Sequence, residues 1–153
     1  MKTNASLIIL IILIGLLSIG ALGGGAALMI SPDGSLMQMP ISFLDSSPFG
    51  NFFLPGLILF TVLGIFPALL IPGLVRKPVC KICERINLLS DMHWAWSFAV
   101  YLSFALIIWI QVEMIILKTV FWLQTFYMTY GLVLLVILLL PPVRASFRKG
   151  NFS

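Results

Sequence analysis

The sequence predicts an all-α protein, an integral membrane four-helix transmembrane bundle with a short outer cap and an inner amphipathic helix. Two observations predict this class. The chain has 153 residues, of which 61% are hydrophobic and only 9% are charged, whereas soluble domains carry about 25% charged residues. The apolar residues also fall into four long runs. Residues 1–153 therefore form a single transmembrane domain, because this length leaves no room for a second one.

The four runs cover residues 7–30, 52–75, 93–117 and 121–140. Each approaches or exceeds the ~20 residues that a helix needs to cross ~30 Å of hydrocarbon. Only a helix satisfies every backbone group of such a run in lipid. The segments between them predict an outer loop at 31–51 and a cytoplasmic loop at 76–92.

The basic residues predict the orientation. Eight of the nine fall on one side of the runs, and only Lys118 falls on the other. Because Lys and Arg accumulate on the cytoplasmic side, both termini are expected in the cytoplasm, with the protein in the cell membrane. The first run could instead be a signal peptide cleaved after about residue 22, but its length favours a retained helix. The eight residues are Lys2, Arg76, Lys77, Lys81, Arg85, Arg144, Arg148 and Lys149.

Small residues in the first helix predict close helix packing. Gly20 and Gly24 are four residues apart, and Ala21 and Gly25 repeat the spacing one position later. Small residues at this spacing let two helix backbones approach closely in lipid. The partner could be another helix of the same chain or a second copy of the chain.

Pro67 interrupts the second helix. A proline inside a helix removes one hydrogen bond and pushes away the carbonyl four residues earlier, here that of Leu63. We expect a kink at this position. The kink could merely shape the bundle, or it could act as a hinge or present a carbonyl to a ligand.

The outer loop is too apolar for an ordinary solvated loop. Residues 31–34 fit a type I turn, and Pro40 could open a short helix. Ser47 could cap another short helix, with Pro48 at its first position. We expect a cap that either anchors the bundle at the membrane interface or covers a pocket.

Polar and aromatic residues near the outer ends of the third and fourth helices form the candidate binding site. A carboxylate in a membrane span is a functional candidate, although Glu113 lies close enough to the interface to pair with Lys118. Together these side chains could hold a lipid headgroup or an amphipathic small molecule. The set comprises Glu113, Gln111, Lys118, Trp122, Gln124 and Tyr127.

Cys80 and Cys83 form a CxxC pair in the cytoplasmic loop. They are weak metal candidates, because zinc normally takes four ligands and only His93, with Glu84 or Asp91, lies nearby. In a reducing cytoplasm the pair is expected to rest as thiols. Redox activity and lipidation are alternatives.

The same stretch also fits an amphipathic helix on the inner membrane surface. Its apolar face would contain Val79, Ile82, Cys83, Ile86 and Leu89. Ser90 and Asp91 would then cap the third helix.

Two families of four-helix membrane proteins do not fit. The DsbB and vitamin K epoxide reductase group uses more than one cysteine pair on the oxidising side, and small multidrug transporters carry a glutamate in the first helix. Short motifs do resemble small, uncharacterised four-helix multi-pass membrane proteins, a resemblance that implies no activity. They are Pro32-Asp33-Gly34-Ser35, Ser47-Pro48-Phe49, Phe53-Leu54-Pro55-Gly56, His93-Trp94-Ala95-Trp96 and Ile108-Trp109-Ile110.

Three function classes remain open. The first is a non-enzymatic membrane protein that binds a lipid, another amphipathic molecule or a partner membrane protein. The second is a subunit of a small oligomeric transporter or channel that uses Glu113. An enzyme is the least favoured class, because one histidine and five acidic residues make an acid–base pair hard to assemble. We expect membrane lipids as partners, with a homo-oligomer as an option, and neither a cofactor nor nucleic acid.

Overall fold

Four helices in this chain are long and apolar enough to cross a membrane. The computed structural model describes residues 4–151, and these helices begin and end within two residues of the four predicted runs. They are α1 (Ala5–Ile30), α2 (Phe53–Arg76), α4 (Trp94–Leu117) and α5 (Trp122–Leu139). The described part of the chain is helical with no strand, which confirms the predicted all-α class.

Short elements lie at the two ends of the bundle. We call the end formed by residues 31–52 and 118–121 the cap end, and the end formed by residues 77–93 and 140–151 the basic end. The cap end contains two 3-10 turns, Ser35–Met37 and Ile41–Leu44. The basic end contains α3 (Lys81–Arg85), α6 (Pro141–Ser146) and a 3-10 turn at Lys149–Asn151.

The four long helices form a ring of neighbours. Helix α1 packs against α2 and α5, and α4 packs against the same two helices from the opposite side. The contact between α2 and α4 is made chiefly by the last part of α2, Phe66–Arg76. Near the cap end these two helices touch less, which leaves space between them.

Glycine brings α1 and α2 together. A Cβ atom added at Gly25 would lie 2.7 Å from both the Gly56 carbonyl oxygen and the Phe60 amide nitrogen. Such distances are not tolerated, so only glycine permits this approach of the two backbones. Gly25 and the buried Ala21 therefore lie in the interior of the bundle and pack against helices of the same chain.

The helix around Pro67 is wider rather than simply broken. Leu59–Ile65, seven residues that end two positions before Pro67, adopt π-helical geometry, in which each hydrogen bond spans five residues instead of four. Ser18 of α1 donates a buried hydrogen bond of 2.7 Å to the carbonyl oxygen of Gly64. The sequence suggested that the Leu63 carbonyl would be freed. The carbonyl that α1 contacts is that of Gly64, one residue later.

The cap folds back on itself through the turn at residues 31–34. The Gly34 amide donates to the Ser31 carbonyl at 3.0 Å, and Gly34 has a φ of 80°, which favours glycine. A helical turn follows Pro40, where the sequence suggested one. The second suggested helix does not form, because the Ser47 hydroxyl accepts a hydrogen bond from the Phe49 amide in a local turn instead.

The inner helix is much shorter than the amphipathic helix that the sequence suggested. It ends at Arg85, and the Asn87 side chain, which donates to the Met92 carbonyl at 2.8 Å, holds the chain in a turn. The suggested apolar face is divided: Cys83 packs against the core, whereas Val79 is 91% exposed and Ile82 is 73% exposed.

Helix α4 is capped by a residue other than those suggested. The Nδ1 atom of His93 accepts a hydrogen bond from the Ala95 amide at 3.2 Å. Ser90 and Asp91 stand too early in the chain to cap it, because the turn at residues 87–92 delays the start of the helix.

Candidate functional site

A cavity of about 580 Å³ lies beneath the cap, between the four long helices. This is the size of pockets that enclose drug-sized molecules. Most of its walls are apolar. Residues of the cap, Met39, Phe43 and Phe52 among them, cover it, and α1 contributes Gly20, Ala21 and Gly24.

The cavity is closed toward the basic end. Leu63 of α2 and Leu106 of α4, which are 2% and 1% exposed, line its inner part. The next layer is a packed core in which Leu70, Leu102 and Leu134 are almost fully buried. The cavity is therefore a blind pocket.

Glu113 faces this cavity from the last turns of α4. It is partly buried and lies on the same face as Leu102, Leu106 and Trp109, as helical spacing requires. Glu113 forms no ion pair with Lys118, and both residues belong to the described part of the chain. Lys118 is exposed just after the end of α4. The salt bridge considered from the sequence is thus absent between these two described residues.

Trp109 lies one helical turn before Glu113 and also lines the cavity. It interacts favourably with the carboxylate without reaching the geometry of a full hydrogen bond, and its buried Nε1 atom has no hydrogen-bond partner among the described residues. The sequence-based site omitted Trp109. The signal that could have identified it was its spacing of four residues from Glu113.

Gln124 supplies a second polar group, from the neighbouring helix α5. The residue is only 4% exposed, and its Oε1 atom accepts a hydrogen bond of 3.0 Å from the Phe121 amide, which caps the start of α5. Its Nε2 atom is buried without a partner within residues 4–151. Such unpaired buried donors are rare and need an explanation.

The structure places four of the six sequence-suggested residues in the cavity and two outside it. Trp122 and Tyr127 line the wall together with Glu113 and Gln124. Gln111 and Lys118 are exposed and lie outside the lining. Gln111 lies two residues before Glu113. Side chains two residues apart on a helix point about 200° apart, so Gln111 faces away from the cavity.

A second, wholly apolar groove adjoins the cavity between α2 and α4. Its volume is about 390 Å³. It shares Phe49, Leu63, Trp109 and Val112 with the cavity. The groove lies on the side of the bundle where α2 and α4 touch least, next to the cavity.

The CxxC pair lies at the basic end, away from the cavity. Cys80 and Cys83 are joined in a disulfide, with their Cα atoms 5.2 Å apart, so the expectation of resting thiols differs from the structure. The start of α3 brings the two side chains together, because Cys80 precedes the first helical residue and Cys83 is the third. Within the described residues no three His, Cys, Asp or Glu side chains cluster as metal ligands would.

Comparison with known proteins adds no functional assignment. No protein-family model, no curated protein and no solved structure matches this chain. The cavity and the polar groups that line it are the features of this chain that bear on its function.

Proposed function

We propose that this chain is a non-enzymatic, multi-pass protein of the cell membrane that binds a lipid or another amphipathic molecule in the cavity beneath the cap. One observation carries the proposal. The cavity combines apolar walls with a carboxylate and an unpaired amide donor at its cap end. Pockets of this kind bind ligands through apolar contact and use a few polar groups for orientation.

The distribution of charge supports an orientation with the basic end in the cytoplasm. Within residues 4–151, the cationic side chains other than Lys118 lie at the basic end or at the adjoining end of α2, and Lys and Arg mark the cytoplasmic side of membrane helices. The cap and the mouth of the cavity would then face the outside. Both termini would lie in the cytoplasm.

The binding proposal is tested by filling the cavity. Gly20→Phe places a large ring in the space where an added Cβ meets only the Tyr127 hydroxyl, at 3.5 Å. We expect it to reduce the lipid that co-purifies with the protein by more than tenfold, as measured by native mass spectrometry. Gly23→Phe is the control, since nothing lies within 4 Å of that position. Equal lipid retention in both variants would contradict the proposal.

The orientation is tested with two cysteines introduced at matched sites. Gly50 lies at the cap end and Gly150 at the basic end, and an added Cβ meets nothing within 4 Å at either. In a Cys80→Ser, Cys83→Ser background, an impermeant thiol reagent applied to intact cells should label Gly50→Cys and not Gly150→Cys. The reverse pattern would overturn the orientation.

A second candidate is a subunit of an oligomeric transporter or channel, because Glu113 lies inside the cavity. The packed core below the cavity closes the path, so this function needs either an oligomer or a second conformation. Ion or substrate flux in proteoliposomes that is lost in Glu113→Gln would support it. A monomer in nanodiscs with no flux would favour binding alone.

A further inference from the structure

We infer that the cavity selects a single-chain amphiphile whose head group combines a primary ammonium with an oxygen acceptor. This inference rests on the proposed binding function and narrows it to a chemical class. Two features of the cavity specify the head group, and one specifies the chain.

Glu113 specifies the ammonium. Its carboxylate lines an otherwise largely apolar cavity, and the ion pair recorded within residues 4–151, Lys149 with Glu84, lies at the other end of the bundle. Burying a carboxylate without a cation is costly. A ligand ammonium would supply the positive charge that the described residues do not place beside Glu113, and it would add N–H donors to the Trp109 indole already near the carboxylate.

Gln124 specifies the oxygen acceptor. Its Oε1 atom is already used by the Phe121 amide, which fixes the direction of the Nε2 group. That group is buried and unpaired in a side chain that lines the cavity. A phosphate, ester or hydroxyl oxygen of the ligand would satisfy it.

The apolar groove specifies the chain. The groove between α2 and α4 adjoins the cavity on the side of the bundle and is narrow and apolar, as a single alkyl chain requires. Phe49 and Trp109 belong to both spaces. A single alkyl chain can therefore extend from the head-group site into the groove while staying in contact with apolar side chains.

The test uses three single-chain probes of equal chain length, bound to the full protein in nanodiscs. Lysophosphatidylethanolamine carries both the ammonium and the acceptor, lysophosphatidylglycerol carries only the acceptor, and a long-chain alkylamine carries only the ammonium. We expect lysophosphatidylethanolamine to bind at least tenfold more tightly than either of the others, since each missing partner leaves a buried polar group unpaired.

Two variants assign the preference to the named groups. Glu113→Gln should abolish the preference for lysophosphatidylethanolamine over lysophosphatidylglycerol. Gln124→Glu keeps the oxygen that caps α5 but removes the amide donor, and it should weaken lysophosphatidylethanolamine binding at least tenfold. Gln111→Glu, which adds the same charge at an exposed position of α4, should leave binding unchanged. Thermal unfolding of each variant checks that it is folded.

The outcomes separate this inference from the binding proposal. If all three probes bind equally and Gly20→Phe blocks all of them, the cavity binds amphiphiles but the head-group inference is wrong. Tighter binding of lysophosphatidylglycerol, or a preference that survives in Glu113→Gln, would also overturn it. If no probe binds the folded protein, both proposals fail.

Discussion

The two halves of this bundle are built differently. Toward the basic end the helices are packed around side chains with almost no exposure, such as Leu74, Leu102 and Leu138. Toward the cap end the same four helices surround a cavity of about 580 Å³. The chain thus has enough apolar side chains to fill a core, and it leaves one half unfilled.

Polar groups follow the same division. At the basic end several are paired: the Trp96 indole donates to the Leu138 carbonyl at 3.0 Å, and the Lys77 ammonium donates to the Ser146 carbonyl at 2.7 Å. The buried Ser97 hydroxyl is an exception, with no partner within residues 4–151. At the cap end, Gln124 keeps a buried amide donor without a partner in the part of the chain that the structure describes, and the buried Trp109 indole has only its contact with Glu113, short of a full hydrogen bond. Only at the cap end does an unpaired donor line unfilled volume, where a ligand would complete both.

The difference between the two halves indicates where in the bundle a ligand would bind. A tightly packed half gains little from a ligand, because its apolar contacts are already made. A half with missing contacts stands to gain stability from binding, since a ligand that binds only the folded state stabilises it. Substitutions in the two halves should therefore have different effects.

The largest difference should come from shortening a leucine in each half of α4. Leu102 is fully buried in the packed half, so Leu102→Ala should lower the free energy of unfolding by about 3 kcal/mol through lost contacts and a new cavity. Leu117 lines the existing cavity, so Leu117→Ala should lower the free energy of unfolding by less than about 1 kcal/mol. Thermal unfolding in detergent measures both, and equal losses would contradict the division into two halves.

The next effect concerns the contact between α1 and α2. Gly25→Ala should destabilise the protein by about 2 kcal/mol, because the added Cβ meets backbone atoms that cannot move aside. Gly23→Ala, two residues earlier in open space, should cost nothing. An unaffected Gly25→Ala variant would show that the two backbones are farther apart than described.

A smaller loss should follow removal of the hydrogen bond between Ser18 and Gly64. Ser18→Ala removes a buried bond between two helices, and bonds of this kind contribute about 0.6 to 1.7 kcal/mol in membrane proteins. Ser103→Ala is the control, since Ser103 donates to Ala99 within its own helix. If both serines can be changed at equal cost, the bond between the helices does not stabilise the α1–α2 contact.

The smallest effect should appear at the basic end on acidification. Burial opposes the charge of Glu84, but hydrogen bonds from Lys149, Asn87 and the Trp94 amide outweigh it and lower its pKa below the ordinary 4.5. Because the pKa is lower in the folded state, Glu84 stabilises the protein fully above its ordinary pKa, and the stabilisation is lost as the pH falls through the folded value.

The variant Glu84→Gln should therefore cost at most about 1 kcal/mol near neutral pH, since the ion pair with Lys149 is partly exposed. The cost should vanish in acid. Unfolding of the variant and the parent protein, followed as a function of pH, measures the difference. Asp45→Asn, an exposed acid of the cap, should leave the curve unchanged, and a cost of Glu84→Gln that persists in acid would exclude this explanation.

The candidate site could be predicted only in part from the sequence. Glu113 stood out because a carboxylate within an apolar run is conspicuous, and Gln124 and Tyr127 followed from their position near it. Gln111 and Lys118 were grouped with them by proximity in the chain, but the structure leaves both exposed outside the cavity. Trp109 was missed because an aromatic residue near a membrane interface is unremarkable.

The sequence by itself determined the number, length and limits of the four long helices. It could do so because the hydrophobic length of a run and its flanking polar residues are local properties. The tertiary structure alone decided that Gly25 meets Gly56, that Gln124 keeps an unpaired donor, and that the cap covers a blind cavity. These features depend on which residues from distant parts of the chain come into contact, and a linear pattern of apolar residues does not specify those contacts.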